Sequence, residues 1–280
     1  MLAQAGQAPV PAPLAALIGP GRARVLILLD TPKSTTQLVA LTGLSLGVPV
    51  GSSLYWIATA GHPSLTGVSM PSAALTTALY GLLSGGLATL MALPVALLAV
   101  RHPGRARRLL ERSTYLVLAV PGVVIALALS YFTERYLGGF GYQTAPLLIL
   151  AYAIMFFPLA LVGVKASLAR APVSLDEVAR SLGQRRFAVL LRVTLRLTGP
   201  GLVAAFCLVF LSVITELTAT LILIPTGVQT LATQFWVYET NLSYGQAAPF
   251  ALVMIAVAAI PSWVLGRFFD RGARDPRMMT

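Results

Sequence analysis

The sequence predicts an all-α membrane protein of about six transmembrane helices, and three observations carry that expectation. The chain is 57% apolar and only 10% charged over 280 residues, with a mean hydropathy of +0.82. Soluble domains run near roughly 45–50% apolar and 25% charged. The apolar residues also gather in long stretches, each close to the roughly 20 residues a helix needs to cross hydrocarbon. Lastly, the basic residues sort onto alternate loops, as the loops of a six-span protein would.

Expected spans fall at 37–60, 74–100, 115–132, 144–164, 201–224 and 248–266. They are continuously apolar, which favours helices over barrel strands that alternate apolar with polar residues. Pro49, Gly85, Gly86, Pro94, Pro121 and Pro158 lie inside them. Neighbouring helices in a bundle can satisfy the backbone groups that such residues free.

Residues 1–36, rich in Ala, Pro and Gly, are expected to be a mobile cytoplasmic tail, because they lack the basic start and apolar core of a cleavable leader. The helical domain then covers 37–270, followed by a short cytoplasmic tail at 271–280. Loops 61–73 and 133–143 are short and turn-rich, as connectors should be. Loop 101–113 holds five arginines and fits a topology anchor that also attracts anionic lipid.

Nineteen of the 20 Lys and Arg residues fall on one side of this arrangement, leaving Arg135 on the other. The positive-inside rule therefore predicts that both termini are cytoplasmic. The net charge of +11 follows from this loop bias, and no basic face with stacking or base-reading residues suggests a nucleic-acid partner. Cys207 lies in an apolar span without a partner cysteine and reads as packing. His62 and His102 stand in loops with no second ligand at a recognisable spacing, so no metal site is expected.

Segment 165–200 is too long for a tight turn and carries helix signals of its own. Ser174-Leu175-Asp176-Glu177 forms a Ser-x-x-Glu capping box, in which the serine and glutamate side chains each satisfy an orphan N–H. Acidic residues fall in the first turn, and Gly183 stands where a left-handed residue would end the helix. A short helix at about 175–182 follows from this. Phe187, Leu190, Leu191 and Leu195 then recur at helical spacing among Arg185, Arg186, Arg192 and Arg196. That amphipathic piece is expected to lie at the interface until Gly199-Pro200-Gly201 turns the chain into the next span.

Glu177-Val178-Ala179, Gly183, Val193 and Leu195 together resemble the Glu-Ala-Ala…Gly…Ile-x-Leu-Pro signature of type I ABC importer permeases, the binding-protein-dependent transport system inner membrane components. Spacing agrees throughout; Val178, Val193 and Arg196 depart from the family's alanine, isoleucine and proline. The resemblance implies the six-helix permease fold with a cytoplasmic coupling helix that docks on an ATPase subunit. Ser174, Asp176, Glu177, Ala179, Leu182 and Gly183 would form that docking element.

A narrower resemblance follows. Glu216-Leu217-Thr218-Ala219-Thr220-Leu221 with Thr230-Leu231-Ala232-Thr233 is similar to a run in ferric-iron-type permeases. Leu46-Gly47-Val48-Pro49, Leu54-Tyr55-Trp56 and Ala119-Val120-Pro121-Gly122 resemble the same group. The similarity spans roughly 40–270 and corresponds to the C-terminal half of a fused pair. It implies a second permease half, identical or different, as partner.

Glu216 is the acidic residue expected within a span, at an insertion cost of roughly 2.5–3.5 kcal/mol if central. Two readings stand. Glu216, with Thr218 and Thr220, faces the pathway or a gate; or it is a hydrogen-bonded helix contact using Thr215, Thr218 or Thr220. Segment 225–247 mixes aromatic and polar residues, with Trp236, Tyr238 and Tyr244 as interface anchors or as a surface for a solute-binding protein.

No Walker A loop, Ser-His-Asp set or His-Glu-x-x-His motif occurs. The chain is therefore expected to be a transport subunit rather than an enzyme, with no cofactor of its own. ATP and Mg would be bound by two partner ATPase subunits, and a periplasmic or lipid-anchored binding protein would deliver solute. The resemblance implies the inner membrane of a prokaryote and Fe³⁺ as solute, with thiamine, polyamine or phosphonate as alternatives. An ion-coupled secondary transporter centred on Glu216 is the reading from a different class, and a membrane-embedded enzyme is disfavoured by the lack of clustered polar groups at one depth.

Overall fold

The computed structural model describes residues 35–60, 70–101, 114, 116–117, 119–169, 178, 181, 183–184 and 186–273. Among these, every regular element is helical: α1 (Thr35–Thr59), α2 (Met70–Arg101), α3 (Gly122–Tyr136), α4 (Ala145–Ala169), α5 (Arg186–Val189), a π-turn (Leu190–Thr194), α6 (Leu195–Ile214), α7 (Thr218–Leu223), α8 (Leu231–Thr240) and α9 (Tyr244–Ala273). Five stretches among the described residues are long and apolar enough to cross a membrane: Val39–Thr59, Met70–Arg101, Ala145–Ala169, Leu190–Ile214 and Tyr244–Arg267.

Two expected spans differ from what forms. The third, expected at 115–132, is helical at Leu116, Val117 and Ala119, breaks at Pro121 and resumes as α3, which starts at Gly122 and runs on to Tyr136. Pro121, with φ −58° and ψ 140°, is extended and sets the helix start one residue later. The fifth, expected at 201–224, starts earlier and stops earlier. Its helix runs unbroken through Gly199-Pro200-Gly201 to Ile214, so those residues do not turn the chain. A proline fits helical φ and removes a single N–H, and the bundle around it holds the helix together. The irregularity sits upstream, in the five-residue π-turn at Leu190–Thr194, where Leu195 N–H donates to the Leu190 carbonyl.

α2, α4 and α6 form the centre of the bundle. Lipid gives apolar side chains no reason to leave it, so helices associate through close packing. The sequence provides for that. Gly81, Gly85, Ala88, Ala92, Ala96 and Ala99 recur every three or four residues along one buried face of α2. A Cβ on Gly81 would stand 2.8 Å from the Phe210 ring, so the missing side chain is what seats that ring. Leu148, Ala151, Tyr152, Leu161, Val164 and Leu168 of α4 are buried beside it.

Side-chain bonds define the polarity of this trio. Arg101 at the end of α2 donates to Thr194, and Ser167 near the end of α4 donates to the Thr198 carbonyl. α6 therefore starts where α2 and α4 end, and Arg101, Lys165, Arg192 and Arg196 belong to that end of the trio. A second, smaller cluster joins Ala73, Leu231 and Phe250, tying α8 and α9 to the start of α2.

Residues up to Ser52 form a unit of their own, and those from Ser53 form the other. In the first, Val39, Leu44 and Val48 of α1 expose more than half their surface. In the second, the Trp56 ring lies 5.0 Å from that of Tyr244, and Tyr238 stacks on Phe250 at 5.5 Å. Trp236 and Tyr244 remain exposed, Tyr244 with its ring against Trp56, whereas Tyr238 packs on Phe250.

Candidate functional site

Glu216 lies in a break between helices rather than inside one. α6 stops at Ile214, Thr215 has φ −96° and ψ −2°, and α7 begins at Thr218. The Glu216 carboxylate accepts from the Ala219 N–H at 3.1 Å and from the Thr218 hydroxyl at 2.5 Å. Leu217, the residue flanking α7, has no side chain that can cap it; Glu216 one residue before it supplies the acceptor, and its charge complements the orphan donors of the helix start. Breaking the helix supplies the donors that a mid-helix carboxylate would lack.

The backbone of the break is held as well. Thr220 Oγ1 donates to the Glu216 carbonyl at 2.6 Å, so its single proton is committed there and Tyr152 must donate to Thr220 across their 2.5 Å contact. Tyr152 and Thr220 are both almost fully buried. Thr215, the third threonine considered as a partner, instead bonds the Ser212 carbonyl.

Three runs that lie far apart in the sequence meet at this point. Gly122, from Ala119-Val120-Pro121-Gly122, starts α3 directly against the cap. A Cβ there would stand 2.5 Å from Met155 Cε, 3.1 Å from Thr218 Oγ1 and 3.5 Å from Glu216 Oε1. Thr230, from the third run, borders a small cavity together with Thr77, Tyr80, Tyr152 and Glu216. Thr230 and Thr233 form a reciprocal capping box at the start of α8, and the Leu231 N–H donates to Thr77 Oγ1 at 2.9 Å.

Thr77, Tyr80 and Tyr152 carried no expectation from sequence, nor did Gly122 on its own. Their signal was faint: lone polar groups within apolar spans, with Thr77 and Tyr80 three residues apart and hence on one helix face. Among the described residues, no group of three or more His, Cys, Asp or Glu side chains gathers in one place.

At the opposite end of α6, Ser174, Asp176, Glu177, Ala179 and Leu182 lie outside the described residues, as do His62 and His102. Gly183 lies within them, with φ +80°. This is the left-handed conformation of a helix C-terminal glycine. Just before it, Val178 and Ser181 are helical, and Ser181 Oγ donates to the Val178 carbonyl at 2.8 Å.

The family model of the binding-protein-dependent transport system inner membrane component matches residues 86–275, more than half of the chain. This chain belongs to that family, the permease subunits of ABC importers. As a permease it is 30% identical over 217 residues to the molybdenum transport system permease protein of Escherichia coli, covering 70% of this chain and 93% of that one. It is 36% identical over 234 residues to an Fe(3+)-transport system permease protein of Haemophilus influenzae, covering 80% of this chain and 45% of that one. The permease thus spans about half the length of that relative.

Solved structures agree on the fold. A chain of the MetNI methionine ABC transporter in an inward-facing conformation matches with a TM-score of 0.51 at 20% identity, over 74% of this chain and 94% of that one. An amino acid ABC transporter matches with a TM-score of 0.51 at 17% identity, over 72% and 93% of the respective chains. Within the permease, the Glu216 cluster and the root of the 170–185 segment occupy opposite ends of α6.

Proposed function

We propose that this permease forms one half of the membrane pathway of an ATP-driven importer, paired with a second copy or a second half. One of the two cytoplasmic ATPase subunits docks on segment 170–185 of the coupling loop 165–200, where Ser174, Asp176, Glu177, Ala179 and Leu182 precede the left-handed Gly183. A solute-binding protein delivers cargo on the other side, ATP hydrolysis takes place in the partner, and both termini lie in the cytoplasm. Glu216, Thr218 and Thr220 act at the pathway as a gate, the cap on α7 holding the break in one shape.

The solute we propose is ferric iron or a small ferric chelate. The observation that carries this is the 36% identity, over 80% of the chain, to a relative named for Fe(3+) transport. The Glu216 carboxylate beside the cavity suits a hard cation better than an oxyanion. The second reading is an oxyanion cargo, favoured by the molybdenum relative that this chain covers almost end to end.

Reconstitution in liposomes with its ATPase and binding-protein partners tests both. ATP-dependent uptake of ⁵⁵Fe(III) citrate without uptake of ⁹⁹Mo molybdate is the expected result. The reverse would replace iron by an oxyanion, and ATP-independent, ion-driven uptake would overturn the importer reading itself.

A further inference from the structure

The segment proposed to receive the ATPase leaves the bundle from α4 and rejoins it through α5, the π-turn and α6. Both roots are bonded to each other. Ser167, two residues before the end of α4, donates to the Thr198 carbonyl at 3.0 Å. Thr198 Oγ1 donates back to the Thr194 carbonyl at 2.8 Å, and Thr194 Oγ1 accepts from Arg101 of α2 at 3.3 Å. Thr194 and Thr198 are almost wholly buried. Gly201 makes the contact possible, since a Cβ there would fall on the Ser167 side chain.

Thr194 is also the last residue of the π-turn. Such a turn holds one residue more than an α-turn, and it persists where the surroundings over-determine it. Converting it to regular α-helix would change the register between the docking segment and α6 by one residue, about 100° of rotation and 1.5 Å of rise. A second register at this joint would make it a two-state element of the sort that transmits movement between sites.

We propose that Arg101, Ser167 and Thr194 are positioning residues for coupling: they hold the π-turn, and the π-turn is the joint through which movement of segment 170–185 reaches α6. This rests on the importer reading. The docking segment drives the joint, α6 carries the movement as a rod, and the Glu216 break receives it.

The test uses the full permease, assembled with its ATPase and binding protein in liposomes, reading ⁵⁵Fe(III) citrate or ⁹⁹Mo molybdate uptake, whichever the wild type transports, per ATP hydrolysed. Thr194→Val and Ser167→Ala are expected to assemble and to hydrolyse ATP while uptake per ATP falls about tenfold, with Thr194→Ser restoring it. Deleting Leu191, which removes the extra residue of the π-turn, is expected to abolish uptake while hydrolysis persists. Wild-type uptake per ATP in both Thr194→Val and Ser167→Ala would overturn the proposal. So would a fall in the thermal midpoint and in hydrolysis in step with uptake, because that is the mark of a merely structural bond. If the wild-type assembly takes up solute without ATP, driven by an ion gradient, the importer reading fails and takes this inference with it.

Discussion

The two ends of α6 stop in different ways. At Leu195 the helix continues backwards into a π-turn, stitched by side chains to α2 and α4. At Ile214 it ends outright, and a carboxylate one residue beyond the turn caps a new short helix. The first end keeps its backbone bonded and only changes pitch; the second gives up helical bonds and replaces them with side-chain bonds. In a membrane, where an unpaired backbone group costs several kcal/mol, both are ways of bending a rod without exposing its backbone. They differ in what holds the bend: packing, three hydroxyls and the Arg101 guanidinium at one end, a carboxylate at the other.

That contrast is broken most severely at the packed end. Gly201→Ala places a methyl group on Ser167 and is expected to cost about 1–3 kcal/mol through overpacking. Gly199→Ala, two residues away with nothing within 4 Å, is expected to be neutral or to stabilise by up to about 1 kcal/mol. Thermal midpoints of the two variants in the same detergent decide this, and equal midpoints would mean that the close approach to Ser167 does not constrain the bundle.

The charged end responds differently. Glu216→Ala removes the cap and is expected to cost about 0.5–2 kcal/mol and to lower uptake at least tenfold. Glu216→Gln retains an acceptor for Ala219 and Thr218 and should fold like the wild type while uptake still drops. Normal uptake by Glu216→Gln would exclude every role that needs the charge and leave a capping bond alone.

Smaller effects test the supports of the break. Tyr152→Phe deletes the donor to Thr220 but leaves Thr220 bonded to the Glu216 carbonyl, a loss of about 1 kcal/mol. Thr233→Val breaks only one side of the capping box at α8, and about 0.5 kcal/mol is expected, at the lower end for caps. A larger change in uptake for Thr233→Val than for Tyr152→Phe would place the sensitive joint at α8 rather than at Glu216.

Much of the candidate site was legible residue by residue, and little of it as an arrangement. The acid stood out because a charge is costly inside an apolar run, and its two threonines and the Thr230 run because they resemble a run of ferric-iron-type permeases. Gly183 stood out because a helix ending there needs a left-handed residue, and its φ of +80° is of that kind. The helix break at Glu216 was missed, since the apolar run on either side of it continues without a glycine or proline and the bonds that hold the break depend on which donors the fold brings near. Gly122 was read as part of a run, with no hint that it would lie against that cap. The π-turn was missed as well, because its five residues keep an ordinary helical spacing of leucines.

The sequence by itself determined that this chain lives in lipid, that it is helical, how its basic residues sort among the loops, and which family it resembles. Each of these depends on properties that add up along the chain: apolar length, charge per loop, residue spacing. Only the tertiary structure decided where α6 starts and stops, and that Gly122, Tyr152, Glu216 and Thr230 share one polar cluster. Those outcomes depend on how closely α2, α4 and α6 approach across their glycine and alanine faces. Contacts between segments tens of residues apart form only once that packing exists.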